Sequence, residues 1–310
     1  MLKKTNEIVN VRYDMVCLMS FTHTLPQGDP DSGNSPRVDP ETGHGLMTDS
    51  GFKRHLRDFL SYKGFPILMA RQGIIEVAVE EQAAKVDVDM AAHKGKTFKG
   101  TAEEKRQQFQ TVINAMAQQY IDFRSFGGVF TAPINEGVSG PVQVSMSVSV
   151  DPVLSMALAI TRQTAASRER FAKNEAREMG TKHLVPFGLY RNSISVNPFL
   201  AKRTGFTEQD LFTLVAAMFK MFEVTASSTR PQAAVEKVII FKHGNEHGRY
   251  PRQKLVDMVQ VKRTDPLAPP RKMEDYTISI STEDRNLLGS RDIKILELDG
   301  TEDYIQSFFG

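Results

Sequence analysis

The chain of 310 residues is long enough to bury a sizeable core, either as one elaborated domain or as two smaller ones. Apolar residues make up 40% and charged residues 25%, a globular composition that excludes a chain disordered throughout. The formal net charge is only +2, so affinity for a polyanion must come from local clusters of Lys and Arg.

Cysteine content and hydropathy indicate the cellular compartment in which the protein is expected. Cys17 is the sole cysteine and cannot form an internal disulfide, so nothing in the chain needs an oxidising environment. No segment approaches the ~18 apolar residues of a membrane span, and the N-terminus lacks the pattern of a secretory signal. These features predict a cytoplasmic protein that is not exported and has no membrane partner.

The first predicted element is a buried strand over Val11–Phe21, an apolar run with β-branched and aromatic residues. Residues 22–47 are dense in Gly, Pro, Asp and Asn and predict a long loop, which at that length is functional or disordered. Thr48 and its neighbours offer N-cap side chains to a helix over residues 51–63. This helix has an apolar face, with basic residues elsewhere on its surface.

The middle of the chain mixes extended and helical signals. Gly64–Val79 is apolar and β-branched, which predicts extended structure, and a helix is predicted at about Ala102–Tyr120. Together they indicate an insertion of about 64–122 into a simpler core. Two further strands are predicted at Phe126–Thr131 and Gly140–Val150, the second from its alternating apolar and polar residues.

Apolar character returns at Leu184–Tyr190, after a basic segment of about 152–183 that we interpret as a second insertion. Thr207–Glu223 predicts an amphipathic helix and Val235–Phe241 a strand. Without the insertions, the order is strand, helix, strand, strand, helix, strand. That order predicts an α+β fold of the split βαβ type found in ferredoxin-like and RNA-recognition domains, here as one elaborated domain over residues 1–310.

Basic residues outnumber acidic ones between Arg162 and Arg191. This excess would either hold a phosphate backbone through charge-assisted hydrogen bonds or form a solvated arm. Seven basic residues stand against three acidic ones, and the basic set is Arg162, Arg168, Arg170, Lys173, Arg177, Lys182 and Arg191.

The DFRSFGG segment places Arg124 between Phe123 and Phe126. Guanidinium groups and rings in this arrangement stack on unpaired bases in single-strand binders, although aromatic residues at strand edges also build cores. Arg124 and Phe126 are therefore candidate nucleic-acid contacts, with a core role as the alternative.

Loop carboxylates raise the question of a metal site. The D-P-D-S-G-N run that begins at Asp29 fails the calcium-loop template, because Gly33 and Asn34 are in the wrong order. Loose binding of magnesium by these carboxylates is left as an alternative, whereas turn formation is the commoner use of such residues. His243 and His247 lack a ligand set around them and are predicted to be structural or surface residues. We expect no cofactor, since phosphate-binding glycine motifs are absent.

PQGDPDSGNSPRVDPETGHGLMTDSGFKRHLRDF resembles the signature of the Cas7 family, the backbone subunits of type I-C CRISPR surveillance (Cascade) complexes. Further matches are DFRSFGGVF, GPVQVSMSVSVDPV, GTKHLVPFGLYR, TGFTEQDL and IIFKHGNEHG. They follow the family order over most of the chain. One departure is at Thr24–Pro30, where the family commonly has N-P-N-G-D-P.

The resemblance implies a non-catalytic antiviral protein with an RNA-recognition-like palm, a helical or finger insertion and a thumb-like insertion. Its implied partners are guide RNA (crRNA), target DNA paired with that guide, copies of itself in a helical array, and the other Cascade subunits. An alternative implied by related RNA-targeting systems is a metal-dependent endoribonuclease that uses Asp29 or Asp31.

The resemblance also nominates residues that contact guide RNA. The loop and the start of its helix would face the guide, and the basic insertion would overlie a neighbour's RNA segment. The nominated residues are Asn34, Arg37, Lys53 and Arg54 in the first region, Arg162, Arg168 and Arg170 in the second, and Lys182, His183 and Arg124 beside it.

Overall fold

The computed structural model describes residue 2 and residues 5–90, 100–130, 137–164, 167–169 and 178–309. The strands are β1 (Tyr13–Thr24), β2 (Gly28–Asp29), β3 (Ser35–Pro36), β4 (His44–Met47), β5 (Gly127–Val129), β6 (Gly137–Ser139), β7 (Val142–Val144), β8 (Ser147–Pro152), β9 (Met156–Arg162), β10 (Glu178–Val196), β11 (Gln232–His243), β12 (Gln260–Arg263), β13 (Tyr276–Ser279) and β14 (Ile293–Leu298). The helices are α1 (Asp49–Tyr62), α2 (Ile75–Lys85), α3 (Ala102–Gln119), α4 (Ile121–Phe126), α5 (Pro198–Thr204), α6 (Glu208–Val224), α7 (Arg252–Met258), α8 (Thr282–Ser290) and α9 (Asp303–Gln306). The chain is therefore α+β.

The central sheet has the strand order β14-β11-β1-β10-β8-β4, and each neighbouring pair is antiparallel. Strand β10 is long enough to serve two sheets. Its second half pairs with β1, so that Val196 lies opposite Tyr13 and Val185 opposite Thr24. Its first half pairs with β9 and extends beyond the end of β1.

The sheet is covered on both faces, which explains why β1 is apolar without alternation. On one face, Met15 and Met19 belong to a core that includes Phe52 of α1 and Leu211 of α6. On the other face, Leu18 belongs to a second core built with α7, α8 and the β12–β13 hairpin. We call that covering, residues 252–290, the C-terminal layer.

Helices α2, α3 and α4 form a third, smaller core beside the main one. Phe109, Val112 and Met116 of α3 are buried there with Val79 of α2. This unit overlaps the range of about 64–122 in which the sequence predicts an insertion, and the bounds of that insertion stay a prediction. Across the described ranges, no helix is both long and apolar enough to cross a membrane.

Most local predictions are confirmed, including β1, α1 with its Thr48 cap, α6 with its Thr207 cap, and β11. The extended structure predicted for Gly64–Val79 is wrong in its second part, because α2 begins at Ile75 and buries Val79 against α3. Tertiary packing there overrides the strand preference of β-branched residues.

The alternating segment Gly140–Val150 forms two strands rather than one. The interruption at residues 145–146 changes which residues point inward. Val142 is buried in β7, whereas in β8 Ser147 and Ser149 are buried and Val148 is exposed. The sequence pattern predicted the strand character but not this reversal.

Candidate nucleic-acid interface

The loop between β1 and α1, residues 25–47, is folded onto itself, and we call it the signature loop. Strands β2 and β3 pair within it so that Gly28 lies opposite Pro36. The turn between them uses Gly33 and Asn34 at φ 61° and 64°, values that glycine and asparagine adopt most readily. The Asn34 side chain covers Gly28, where an added Cβ would lie 1.8 Å from Asn34 Oδ1. Asn34 therefore shapes the turn.

Two carboxylates of the signature loop stabilise its turns. Asp29 accepts a hydrogen bond from the Asp31 N–H at 3.2 Å, and its Oδ1 lies 3.4 Å from Arg37 Nη2. Asp39 accepts one from the Glu41 N–H at 2.9 Å, and this bond holds the pKa of Asp39 below its usual range. Among the described residues, no group of three or more His, Cys, Asp or Glu side chains is arranged to hold a metal ion.

Gln27 joins the signature loop to the start of α1. Its Oε1 accepts a hydrogen bond from the Thr48 N–H at 2.7 Å, and its Nε2 donates one to Thr48 Oγ1 at 3.0 Å. Thr48 in turn accepts the Gly51 N–H as the helix N-cap. The loop and the basic helix are therefore fixed relative to each other, a role for Gln27 that the sequence did not reveal.

The nominated cations of α1 are partly buried and have protein partners. Lys53 Nζ lies 2.9 Å from Asp49 Oδ2 and 5.5 Å from the centre of the Phe126 ring. Burial alone would raise the pKa of Asp49, but the hydrogen bond and charge of Lys53 outweigh it and lower that pKa. Arg54 donates from Nη1 to the Met69 carbonyl at 2.9 Å.

The DFRSF segment is a structural junction. Arg124 donates from Nη2 and Nε to the two carboxylate oxygens of Asp210 at 2.7 and 2.9 Å, and from Nη1 to the Ala117 carbonyl at 2.6 Å. The Phe126 ring is buried, with the Arg57 guanidinium 5.3 Å from its centre. Both nominated side chains, Arg124 and Phe126, are thus used within the fold, and neither belongs to the interface proposed below.

Asp122 is the centre of this junction and is 1% exposed. Its carboxylate accepts hydrogen bonds from Arg57 Nε at 2.9 Å, from the Leu68 N–H at 2.8 Å and from the Met69 N–H at 3.2 Å. One carboxylate therefore ties α1, α4 and the segment after α1 together.

Strand β9 pairs with the first half of β10, and we call these two paired segments, residues 156–162 and 178–184, the arm. Lys182 lies opposite Leu158 and His183 opposite Ala157. Because successive strand residues point to opposite faces, Lys182 and His183 occupy different faces of the arm. Arg162 is the last residue of β9 and is exposed.

Two other nominated residues belong to the segment between the strands of the arm. Arg168 is exposed, and Arg170 lies outside the described residues. Arg191 belongs to the same basic set in the sequence; it is partly buried and donates to the Val256 carbonyl. Burial lowers the pKa of Arg191, and the hydrogen bond to Val256 directs the side chain to the C-terminal layer.

The signature loop and the arm leave the sheet at the same end. Thr24, the last residue of β1, lies opposite Val185, which directly follows the arm. The Leu25 N–H donates to the Thr229 carbonyl at 2.9 Å, which adds the turn before β11 to this end. The segments that carry Arg37 and Lys182, two nominated residues far apart in the chain, thereby leave the sheet at the same end.

The same end contains two arginines that the sequence analysis missed, Arg71 and Arg230. They line a cleft with Arg54. Neither belongs to a periodic pattern or a recognisable motif, so only the packing of three distant segments brings them together.

His243 and His247 are a structural and a surface residue, as predicted. His243 is buried; its Nδ1 accepts the Arg249 N–H at 2.9 Å, so Nε2 carries the proton that is donated to Asp14 Oδ2 at 3.0 Å. His247 is exposed.

This α+β protein presents a structured loop, a basic helix and a two-stranded arm at one end of its sheet, the arrangement of a candidate polyanion-binding protein. The family model of CRISPR-associated protein Cas7 matches residues 11–281. The chain therefore belongs to the Cas7 family.

Individual relatives are distant. A CRISPR-associated protein Cas7 from Haloferax volcanii is 28% identical over 136 residues, which are 41% of this chain and 40% of that relative's length. A chain of a "CRISPR RNA-guided surveillance complex, pre-nicking" has a TM-score of 0.45 at 13% identity, covering 74% of this chain and 78% of its own. A chain of a "CRISPR RNA-guided surveillance complex" has a TM-score of 0.36 at 15% identity, covering 73% and 68%. Membership of the family rests on the family model rather than on these structures.

Proposed function

We propose that this protein is a non-catalytic backbone subunit of a type I-C CRISPR Cascade complex and binds guide RNA in the cytoplasm. Copies assemble side by side in a helical array along the spacer, together with the other Cascade subunits. The array presents the guide bases for pairing with target DNA in antiviral defence. The observation that carries the proposal is the meeting of the signature loop, α1 and the arm at one end of the sheet, in a chain of the Cas7 family.

Strand order supports an RNA-recognition-like palm within a single elaborated domain. Strands β11, β1, β10 and β8 are antiparallel neighbours, and α1 and α6 cover one face. In chain order these elements run strand, helix, strand, strand, helix, strand, as the split βαβ motif requires. The C-terminal layer covers the opposite face, so the guide is proposed to follow the end of the sheet and not its face.

Two insertions complete the proposed machinery. The unit of α2, α3 and α4 serves as the finger, and the arm serves as the thumb that overlies a neighbour's RNA segment. The proposed RNA contacts are Asn34, Arg37, Lys53, Arg54, Arg162, Arg168, Arg170, Lys182 and His183.

Absence of catalysis is part of the proposal. The Asp29 carboxylate accepts a hydrogen bond from the Asp31 N–H and forms an ion pair with Arg37, which supports a turn-forming role over a metal-binding one. Assembled complexes incubated with complementary RNA and Mg²⁺ should therefore leave that RNA intact. Regularly spaced cuts that disappear in Asp31→Ala would contradict this and favour the ribonuclease alternative.

Binding of purified protein to labelled single-stranded RNA tests the function. We expect little sequence preference and a steep fall of affinity with salt, since phosphate contacts release condensed counterions. Arg37→Gln and Lys53→Gln combined should weaken binding and reduce the slope of log affinity against log salt by roughly 1.4, about 0.7 for each lost phosphate contact. Binding that is independent of salt would contradict the proposal.

A further inference from the structure

A cleft of ≈ 560 Å³ lies between α1, the segment after α1 and the turn that follows α6. Arg54 of α1, Arg71 of the next segment and Arg230 of the turn line it, and Asp58 supplies a carboxylate. Among the described residues of the lining, three guanidinium groups thus face one carboxylate. Like charges gathered in a cleft repel one another unless an anion joins them.

Asp58 is already shared between two of these arginines. Its Oδ2 lies 2.6 Å from Arg71 Nη2, and its Oδ1 lies 3.1 Å from Arg54 Nε. Both carboxylate oxygens are therefore engaged, and the cleft keeps an excess of positive charge.

Arg230 carries that excess. Its side chain is half-buried, and its Nε has no hydrogen-bond partner in the described part of the chain. Burial, followed by the charge of Arg71, lowers the pKa of Arg230, with no acidic group opposing the effect. The backbone holds the residue in place, because the Arg230 N–H donates to the Ser227 carbonyl at 2.9 Å and the Ser227 N–H donates back at 3.2 Å.

An exposed aromatic ring lies at the rim of the cleft. Tyr62 is 72% exposed and is part of the lining. Exposed rings beside cations are the stacking platforms of single-strand binders, and arginine forks match the oxygens of phosphate. The cleft also adjoins the signature loop through the hydrogen bond from the Leu25 N–H to the Thr229 carbonyl.

We propose that this cleft binds a phosphodiester group of the single-stranded guide RNA, with Arg230 and Arg71 on the phosphate oxygens and Tyr62 against a base. The inference rests on the guide-RNA function proposed above and adds three residues that the family resemblance does not nominate. A phosphate balances the charge that Asp58 leaves uncompensated. An acidic protein segment would meet the same charges, but it would give the exposed ring no partner.

Arg230→Gln tests the cleft in the full-length protein, and Arg271→Gln is the matched control, because Arg271 is an exposed arginine in the C-terminal layer on the other face of the sheet. We expect Arg230→Gln to bind labelled single-stranded RNA about tenfold more weakly, with a salt slope reduced by about 0.7. Arg271→Gln should bind as the wild type does. Arg71→Gln, at a side chain that is 73% exposed, should repeat the loss without a folding defect.

Thermal unfolding separates ligand binding from a structural role. Arg230→Gln removes an unpaired, half-buried charge, so its unfolding temperature should equal or exceed that of the wild type. Inorganic phosphate alone should raise the unfolding temperature of the wild type more than that of Arg230→Gln, because a ligand stabilises only the state that binds it.

The outcomes distinguish the two proposals. If the wild type binds RNA and both cleft variants bind it equally well, the cleft assignment is overturned while the guide-RNA function stands. If Arg230→Gln binds RNA as the wild type does but fails to assemble into complexes, the cleft binds an acidic protein segment. That result would also overturn the assignment of the cleft to guide RNA. If the wild type binds no RNA, the proposed function fails and this inference fails with it.

Discussion

The DFRSF junction and the cleft beside the signature loop use arginine in opposite ways. At the junction, Arg124 meets Asp210 at 2.7 Å and Arg57 meets Asp122 at 2.9 Å, and all four side chains are largely buried. In the cleft, Arg230 forms no ion pair with a carboxylate of the described residues, and burial lowers its pKa. At the junction, each buried guanidinium is neutralised by its own carboxylate and holds the fold together, whereas Arg230 is the guanidinium that we propose binds a ligand. At these two places, the partner of the buried arginine distinguishes the two roles.

Removing a junction carboxylate should have the largest effect on stability. Asp122→Ala leaves the Arg57 charge unpaired and takes the acceptor from the Leu68 and Met69 N–H groups. We expect a loss of about 3–5 kcal/mol in the free energy of unfolding, measured in urea. The double variant Asp122→Leu with Arg57→Met should recover the part of this loss that comes from the unpaired Arg57 charge. If Asp122→Ala is as stable as the wild type, the buried ion pairs of the junction do not hold the fold together.

His55, beside the cleft, makes stability depend on pH. Burial, together with the charge of Arg230, lowers the pKa of His55 from 6.5 to about 3. Between these values the unfolded chain binds more protons than the folded one, so stability is fully present above the unfolded pKa and is lost as the pH falls toward the folded pKa. The expected loss is at most about 1.4 kcal/mol for each pH unit, measured by urea unfolding.

His55→Gln should flatten that part of the pH profile. His247→Gln, at an exposed histidine, should leave the profile as in the wild type. An unchanged slope in His55→Gln would mean that His55 is not the group responsible.

Breaking the link between the signature loop and α1 should have an intermediate effect. Gln27→Ala removes the acceptor of the Thr48 N–H and one donor to the helix cap. We expect a loss of about 1 kcal/mol in the free energy of unfolding and weaker RNA binding, since the loop is no longer fixed on the basic helix. RNA affinity equal to that of the wild type would show that loop position does not matter for binding.

The smallest effect is expected at the Asp49–Lys53 pair, which is partly exposed. Asp49→Asn should cost about 0.5 kcal/mol or less, as ion pairs four residues apart on a helix surface do. The measurement is the same urea unfolding used for Asp122→Ala. A cost as large as that of Asp122→Ala would remove the distinction between buried and surface pairs.

Structural features that depend on residues close together in the chain were predictable from the sequence. The caps Thr48 and Thr207 and the apolar runs of β1 and β11 follow from the identity and spacing of nearby residues, and the structure confirms them. The signature loop was singled out by its Gly, Pro and Asp content. Its turn at Gly33 is likewise a local property.

Features that depend on distant partners were not predictable. Arg124 among aromatic residues suggests base stacking until Asp210, 86 positions away, is placed beside it. Val79 suggests a strand until α3 packs against its helix. Arg71 and Arg230 carry no local signal, because their shared cleft exists only after three segments of the chain have folded together.

Copies of this protein are proposed to line up along guide RNA, and the mass of the complexes formed on RNAs of increasing length tests that assembly. Purified protein is mixed with single-stranded RNAs of graded length, and the number of protomers on each is counted by single-particle mass measurement. We expect this number to rise in proportion to RNA length. A fixed number of protomers on every RNA would contradict it.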